Sequence, residues 1–389
     1  MGIVRFESFD TTLRDGAQAL EEESHQFPVG SKPGIAEQLA SLGVDVIEAG
    51  FPATPADTEE VQKVAQTVGQ HMYRTARWVN GQFVDAYDRP VVIAGLSRTT
   101  PADIDTTWSA IHEARSPRIH TFISTDEAHM KAKFKDKTPA EVLDMGKRAI
   151  DLALEYASEH PNASVEFSAE ASSTTDPAFL EIVARTAVEN GVDVLNMPDT
   201  VGQRNPFWMY KFYRQIMNWV LPVNPDVTIS AHCHNDLGHA VSNSTALVQA
   251  AADYAYENDQ NVNVQVEGTI CGLGERAGNA DGIAVVAGLF KFSDESPVPI
   301  TWMYNPNRAV RVARSVMQAA NYEVPPKSPV VGSETNVHRS GIHSDGVIKG
   351  GFEIYTPHDP QFWGHETSAV HEEGRYQGKS GTQAAQSTR

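Results

Sequence analysis

Hydrophobic and polar positions along this chain follow two alternating periods, and the switches between them mark out most of its length. Short apolar-rich runs read as strands at residues 3–9 (I-V-R-F-E-S-F), 44–48, 90–96 (P-V-V-I-A-G-L), 118–124, 164–169, 192–197, 227–233 and 262–267. Between and after them lie helix-period segments at 32–42, 57–68, 101–114, 138–159, 176–190, 206–220, 239–255 and 280–291. The punctuation agrees with the periods. Pro33 suits a first helical turn and Gly43 a helix end, while Pro101, Thr138 and Asp176-Pro177 suit helix starts. Strand-then-helix alternation implies a parallel sheet. Eight such units in roughly 290 residues predict a closed (β/α)8 barrel, a fold of about 250 residues. An open doubly wound sheet is the alternative, but it usually carries a Gly-rich turn after its first strand. Here that place is taken by D-T-T-L-R-D-G-A-Q, residues 10–18.

After about residue 300 the alternation stops. A helix is predicted over 307–321, carrying Arg308, Arg311 and Arg314, and Pro325-Pro326 with Pro329 read as a linker. Residues 331–351 are dense in Gly and polar groups, as loops that build sites often are, and the tail from Gly374 reads as flexible. The expected division is a catalytic barrel over 1–295, then a linker and small, mostly helical C-terminal subdomain over 296–389.

Charge and cysteine usage narrow the function classes. A net charge of −19 argues against nucleic acid or an anionic membrane as the main partner, because both need a basic face. It leaves anionic substrates open, since one metal or Arg can invert the field inside a pocket. The two cysteines, Cys233 and Cys271, imply no disulfide framework, and a reducing cytoplasm fits. The start M-G-I-V-R-F-E-S-F-D lacks an apolar signal region, and no run approaches a membrane span. A cytoplasmic location is expected. Gly374 and Gly378-Lys379-Ser380 miss the phosphate-loop spacing by one residue.

Candidate chemistry enters at S-A-H-C-H-N, residues 230–235. On a strand, His232 and His234 share one face and Cys233 takes the other. Two neutral imidazoles about 6–7 Å apart can chelate a divalent metal, although H-x-H alone more often marks a pair of unrelated core or surface histidines. A barrel gathers its site at the carboxyl ends of its strands. Those ends offer Arg14 and Asp15, Glu48, His120, Ser168 and Glu170, Asn196, Asp199 and Thr200, the two histidines, and Glu267. This convergence favours the metal. Asp15 is the expected oxygen ligand, with Asp10 as the alternative, and two imidazoles with a carboxylate suit Zn, Mn, Fe or Mg. Arg14 could steady an oxyanion or form an ion pair with Glu48. Asp199 could be a helix cap, Glu267 reads as a structural partner of Arg276, and Cys271 as a packed thiol.

The motifs D-T-T-L-R-D-G-A-Q, V-I-E-A-G-F-P, I-H-T-F-I-S-T, F-S-A-E, N-M-P-D-T-V-G, H-C-H-N-D-L-G, E-G-T-I-C-G-L-G-E-R-A-G-N and S-G-I-H-S-D-G-V-I-K resemble the 2-isopropylmalate synthase and homocitrate synthase group. That group belongs to a metal-dependent Claisen-type barrel superfamily that includes hydroxymethylglutaryl-CoA lyase. The resemblance runs from about residue 8 to 357 and is nearer to isopropylmalate synthase. It implies condensation of acetyl-CoA, as co-substrate, with a 2-oxo acid, 2-oxoisovalerate being the expected one. It also implies a divalent metal (Mg, Mn or Zn) on Asp15, His232, His234 and Asn279. Arg14, Glu48, Glu170, His343 and Tyr355 are implied as catalytic, and His120, Ser168, Asn196, Pro198 and Thr200 as the 2-oxo acid pocket. His343 would reach a neighbouring protomer's barrel, so a homodimer is expected.

Three departures from the family pattern matter. The family's Y-E-I is here Phe352-Glu353-Ile354-Tyr355. The E-D-A-x-R that many members carry is here Glu170-Ala171-Ser172-Ser173-Thr174, with no Arg for a distal carboxylate, which weighs against 2-oxoglutarate. The chain also ends near Gly378-Lys379-Ser380-Gly381 where leucine-regulated members continue, so no leucine feedback is expected.

Overall fold

Eight parallel strands close on themselves in the computed structural model, which describes residues 2–20, 24–367 and the backbone of 370–371. The tail from Gly374, with Gly378-Lys379-Ser380, lies outside the described residues. In chain order the strands are β1 (Val4–Asp10), β2 (Val46–Gly50), β3 (Tyr73–Val79), β4 (Gln82–Arg89), β5 (Val92–Arg98), β6 (Pro117–Ser124), β7 (Ser164–Glu170), β8 (Val194–Asn196), β9 (Thr228–His232) and β10 (Val262–Gly268). The barrel runs β1-β2-β5-β6-β7-β8-β9-β10. It closes by parallel pairing of β10 with β1, from Val4↔Val262 to Asp10↔Gly268. Helices α1 (Lys32–Leu42), α2 (Pro55–Gln66), α3 (Pro101–Ile111), α4 (Glu127–Phe134), α5 (Pro139–Ala157), α6 (Pro177–Glu189), α7 (Pro206–Val220), α8 (Ala240–Asn258) and α9 (Gly282–Phe292) accompany them. The chain is a TIM barrel, as the alternating periods predict.

Local chemistry sets the element ends. Thr138 and Glu141 form a reciprocal capping box at the start of α5, and Asp176 and Asn205 cap α6 and α7. Gly43 ends α1 with φ 89°, and a Cβ there would lie 2.6 Å from Thr75 Cγ2.

Four elements differ from the sequence expectation. The stretch between α2 and the third barrel strand holds the β3–β4 hairpin, turned by Asn80-Gly81 with φ 47° and 71°. A third strand beside it, β11 (Ile300–Met303), pairs parallel with β1 at Val4↔Ile300 and antiparallel with β3 at Trp302↔Trp78. Helix α4 is an extra element between β6 and α5, and only Met130 of its residues is buried. After α10 (Ala309–Ala319) and the short strand β12 (Val337–His338), the Gly-rich segment expected as a loop forms α11 (Gly341–Gly350). Val347 supplies that helix with its buried contact, which explains why it forms despite its glycines.

The barrel interior is polar midway along its axis. Arg118 Nη1 donates to Gln265 Oε1 (2.6 Å) and Glu166 Oε2 (3.3 Å), and Gln265 Nε2 donates to Glu166 Oε1 (2.8 Å) and Ser230 Oγ (3.0 Å). Buried charges persist only when paired and fully hydrogen-bonded. Arg118→Met therefore removes the guanidinium that Glu166 and Gln265 share inside the barrel. It should destabilise the fold by roughly 3–5 kcal/mol, seen as a fall in the urea midpoint relative to the unsubstituted protein.

Candidate active site

Strand geometry brings His232 and His234 to one face, as their spacing predicts. Their rings lie 4.9 Å apart between centroids and their Nε2 atoms 3.2 Å apart. Cys233 points the other way, its Sγ 3.6 Å from the Tyr213 hydroxyl. Asp15 arrives from across the β1–β10 seam. One wide helical turn, Thr12–Gly16, follows β1 and aims it, with the Thr11 hydroxyl accepting from the Asp15 N–H (3.3 Å). Asp15 Oδ2 lies 3.8 Å from His232 Nε2 and accepts from the Asn279 amide. Asp10, the alternative ligand, instead accepts from the Thr12 N–H at 2.9 Å and stands outside this cluster.

Burial pushes both histidines down to about 4, so both are neutral. The Asp15 carboxyl, which burial alone would raise, is held low by the Arg14 guanidinium, with the Asn279 amide donating to it. His232 Nδ1 is bonded to Glu267 Oε2 (3.0 Å), which leaves its Nε2 lone pair facing the cavity. Two imidazole nitrogens, a carboxylate and the otherwise unpartnered Oδ1 of Asn279 are a donor set that a divalent cation satisfies. The residues fit the metal expected here. Gly274 makes room for the amide: a Cβ there would stand 2.0 Å from Asn279 Nδ2.

Glu48 organises the next corner. It is fully buried and accepts from Thr11 Oγ1 (2.6 Å) and Arg14 Nε (2.6 Å) on one oxygen and pairs with His120 Nδ1 (2.7 Å) through the other. Burial would raise its carboxyl, but Arg14 and His120 hold it well below the usual carboxylate range. His120 is pulled down by burial, yet the field of Glu166 and the bond to Glu48 lift it to about 9. Its Nε2 meets Ser168 Oγ (2.7 Å), which also accepts from Asn196 Nδ2 (2.9 Å). His120 lies close to Glu166 and Glu267, but both its nitrogens are engaged, so this second group of ligand-type residues is a hydrogen-bond network.

Glu170 ends β7. Lys133 Nζ, from the last turn of α4, donates to its Oε1 (2.7 Å) and Oε2 (2.6 Å), and Ser124 Oγ donates to Oε2. Ala171 follows in a left-handed conformation (φ 62°), its N–H held by Thr200 Oγ1 at 3.0 Å.

One cavity of about 320 Å³ joins these groups. It is lined by the expected Arg14, His120, Ser168, Glu170, Asn196, Pro198, Thr200, His232 and His234. Glu48, Asp15 and Asn279 stand behind them through the bonds above. His343 and Tyr355 do not line it. They stack on each other in the C-terminal segment, with ring centroids 4.0 Å apart and planes 13° from parallel.

The sequence reading missed several groups. Glu267 is the partner of His232, while Arg276 pairs with Asp236 (2.8 Å) and the Thr200 carbonyl (2.7 Å). Its position one residue before the Gly that ends β10 was the available signal. Phe51, Leu96, Arg98 and Phe122 line the cavity, and Lys133, on a helix that apolar periodicity does not reveal, pairs with its Glu170. Asp199 is neither a cap nor a cavity group; it is buried, accepting from Ser173 Oγ (2.6 Å) and the Arg204 N–H (3.2 Å). Cys271 is a packed thiol, pushed up by burial.

Comparison with known proteins bears on this geometry. The chain is 39% identical over 371 residues to 2-isopropylmalate synthase of Pyrococcus furiosus, covering 95% of this chain and 66% of that protein. It is 40% identical over 342 residues to the 2-isopropylmalate synthase of Pelotomaculum thermopropionicum, covering 88% and 59%. The chain thus spans less than two thirds of the length of these relatives. Its fold matches an HMG-CoA lyase of Acinetobacter baumannii, solved with coenzyme A and 3-methylmalate, at a TM-score of 0.60 and 15% identity, over 87% of this chain and 97% of the other. The HMGL-like family model matches residues 5–292, the whole of the closed barrel, and this chain belongs to the HMGL-like family.

Proposed function

We propose that this protein is a 2-isopropylmalate synthase-like acyltransferase that condenses acetyl-CoA with a 2-oxo acid, 2-oxoisovalerate being the best fit, to a 2-alkylmalate and free CoA. The observation that carries the reading is the pairing of two neutral, lone-pair-bearing imidazoles and Asp15 with an Arg14 clamped by Glu48, all on one cavity. A divalent cation (Mg, Mn or Zn) on Asp15, His232, His234 and the Asn279 amide oxygen supplies Lewis-acid polarisation of the 2-oxo acid's carbonyl.

The chain's own residues divide the remaining work. Arg14, fixed by Glu48, donates to the keto oxygen as it gains charge. Protonated His120, with Ser168, Asn196, Thr200 and the ring of Pro198, binds and orients the 2-oxo acid. Glu170 serves proton transfer at the acetyl methyl. Loss of that proton lets the methyl carbon bond to the keto carbon, and the alkoxide takes up a proton. Water then adds to the thioester and the C–S bond breaks, releasing CoA and a carboxylate.

His343 and Tyr355 complete the machinery from a second copy, so the active form is a homodimer. Their stacking in a segment that also exposes Ile342, Ile348 and Ile354 supports this reading, because such a face asks for a cover. No described helix is long and apolar enough to cross a membrane, and a cytoplasmic location remains part of the proposal. A lyase reading would need a reactive thiol, whereas the thiol of the partly buried Cys271 is pushed up by desolvation.

Three outcomes test this reading. Metal-loaded protein given acetyl-CoA and a panel of 2-oxo acids should release CoA thiol fastest with 2-oxoisovalerate, and His232→Ala should reduce release to background while circular dichroism stays unchanged; no thiol release with any 2-oxo acid would falsify the synthase assignment. Glu267→Gln should weaken binding of Mn or Zn about 10–100-fold, through the loss of the partner that orients His232; metal titration reads this without turnover.

The third concerns pH. A histidine raised from an unfolded value near 6.5 to about 9 keeps its proton, and the stabilisation that goes with it, in full below about 6.5 and loses both as pH rises through about 9. The kcat/KM for the 2-oxo acid should therefore fall above about pH 9, and His120→Gln should lose that alkaline limb. A limb that persists in the variant belongs to another group.

A further inference from the structure

The barrel order places β6 diametrically opposite β10, which lies between the β9 and β1 ends that carry the metal corner. A 2-oxo acid anchored by its carboxylate and keto group at that corner therefore projects its substituent toward the ends of β5, β6 and β7. The apolar part of that wall is Leu96 and Phe122, beside His120 and Ser168, with Glu170 at the end of β7. Three cations stand at or beside it, each already paired. His120, from β6 itself, is bonded to Glu48 (2.7 Å). Arg98 lines the cavity with Nε 2.5 Å from Asp103 Oδ2. Lys133 lies 6.0 Å from the centre of the Phe122 ring and spends both its short contacts on the two oxygens of Glu170. The cap is thus a neutral ion pair over an apolar wall.

We propose that Glu170 masks Lys133, and that this pair makes the pocket select 2-oxo monocarboxylates over 2-oxo dicarboxylates. A branched aliphatic substituent meets Leu96 and Phe122 without disturbing the pair. A second carboxylate would arrive beside that of Glu170 and find Lys133 already neutralised. Like charges side by side at a partly buried site repel, and a charged group brought there without a partner is costly. The discrimination is a built-in repulsive element as much as an attractive one. Glu170 then has two duties, proton transfer and selection. The inference rests on the synthase reading, which brings 2-oxo acids to this cavity.

Binding separates the two duties where turnover does not. Mn-loaded protein would be titrated calorimetrically with 2-oxoisovalerate and with 2-oxoglutarate as probes. The native protein should bind the monocarboxylate at least about tenfold more tightly. Glu170→Gln, which keeps the side chain's shape and removes its charge, should tighten 2-oxoglutarate about tenfold relative to 2-oxoisovalerate (about 1.4 kcal/mol). Adding Lys133→Met to that variant should cancel the gain. A gain that survives without Lys133, or a ratio that Glu170→Gln leaves unmoved, overturns the inference while 2-oxoisovalerate still binds. Failure of the native protein to bind either acid would instead overturn the synthase reading. Thermal melts of each variant show whether it is folded, and Glu170→Ala serves as the second variant should the Gln form fail to fold.

Discussion

Glu48 has no contact with water, and two separate parts of the chain are tied through its two oxygens. Thr11 and Arg14 reach it from the turn after β1, and His120 from β6. A buried carboxylate with one cation too few would simply take up a proton. Here two cations keep it charged, and in return it fixes the direction of both. Arg14 is aimed at the cavity because one edge of its guanidinium is committed, and His120 keeps its proton because Glu48 stands behind it. The metal corner depends on this indirectly: Asp15 follows Arg14 on the same turn, and Arg14 helps keep its carboxyl ionised. Removing Glu48 would release the aim of two residues and the charge of a third.

The same balance runs down the barrel axis. Glu166 and Glu267 are both raised to about 7 by burial, and each belongs to a hydrogen-bonded chain that ends on a cation or an imidazole. An interior this polar is poor at stabilising the fold by apolar burial, and the apolar surface is instead buried between strands and helices. Stability is thus drawn from the outer layer, leaving the interior to hold charges in fixed positions. A site built this way is organised before any ligand arrives, which is the condition for electrostatic catalysis without reorganisation.

How much of this was legible in the chain follows from the kind of signal each part carries. The barrel was readable because eight strands and eight helices repeat one pattern, and α1 and α7 begin and end where their punctuation places them. The corner of Asp15, His232 and His234 followed from period two and from the rule that strand ends converge. The β3–β4 hairpin was legible and overlooked: Asn80-Gly81 is among the strongest short-range turn signals, but its strands carry mixed polar faces that hide the period. Helix α4 and its Lys133 were not legible, because a helix with one buried residue leaves no apolar stripe. Glu267 was read as a partner of Arg276 because sequence proximity stood in for direction; the strand turns it inward to His232 and leaves Arg276 to Asp236.

The C-terminal segment carries the argument furthest from the barrel. Tyr355 departs from the family's spacing, yet its ring lies flat on His343, and the contact exists because residue 346 is glycine. A Cβ there would meet Tyr355 Cε2 at 2.8 Å and force the ring away. The His–Tyr pair is therefore assembled within one chain, before any second copy is engaged. On the reading proposed above, docking then delivers both groups to a partner's cavity as one rigid unit, and the ordering entropy of two side chains is met in folding rather than in assembly. A shifted tyrosine is tolerable under that arrangement, because what must be conserved in space is the hydroxyl's position relative to the imidazole, and the stack sets that position independently of the spacing along the chain.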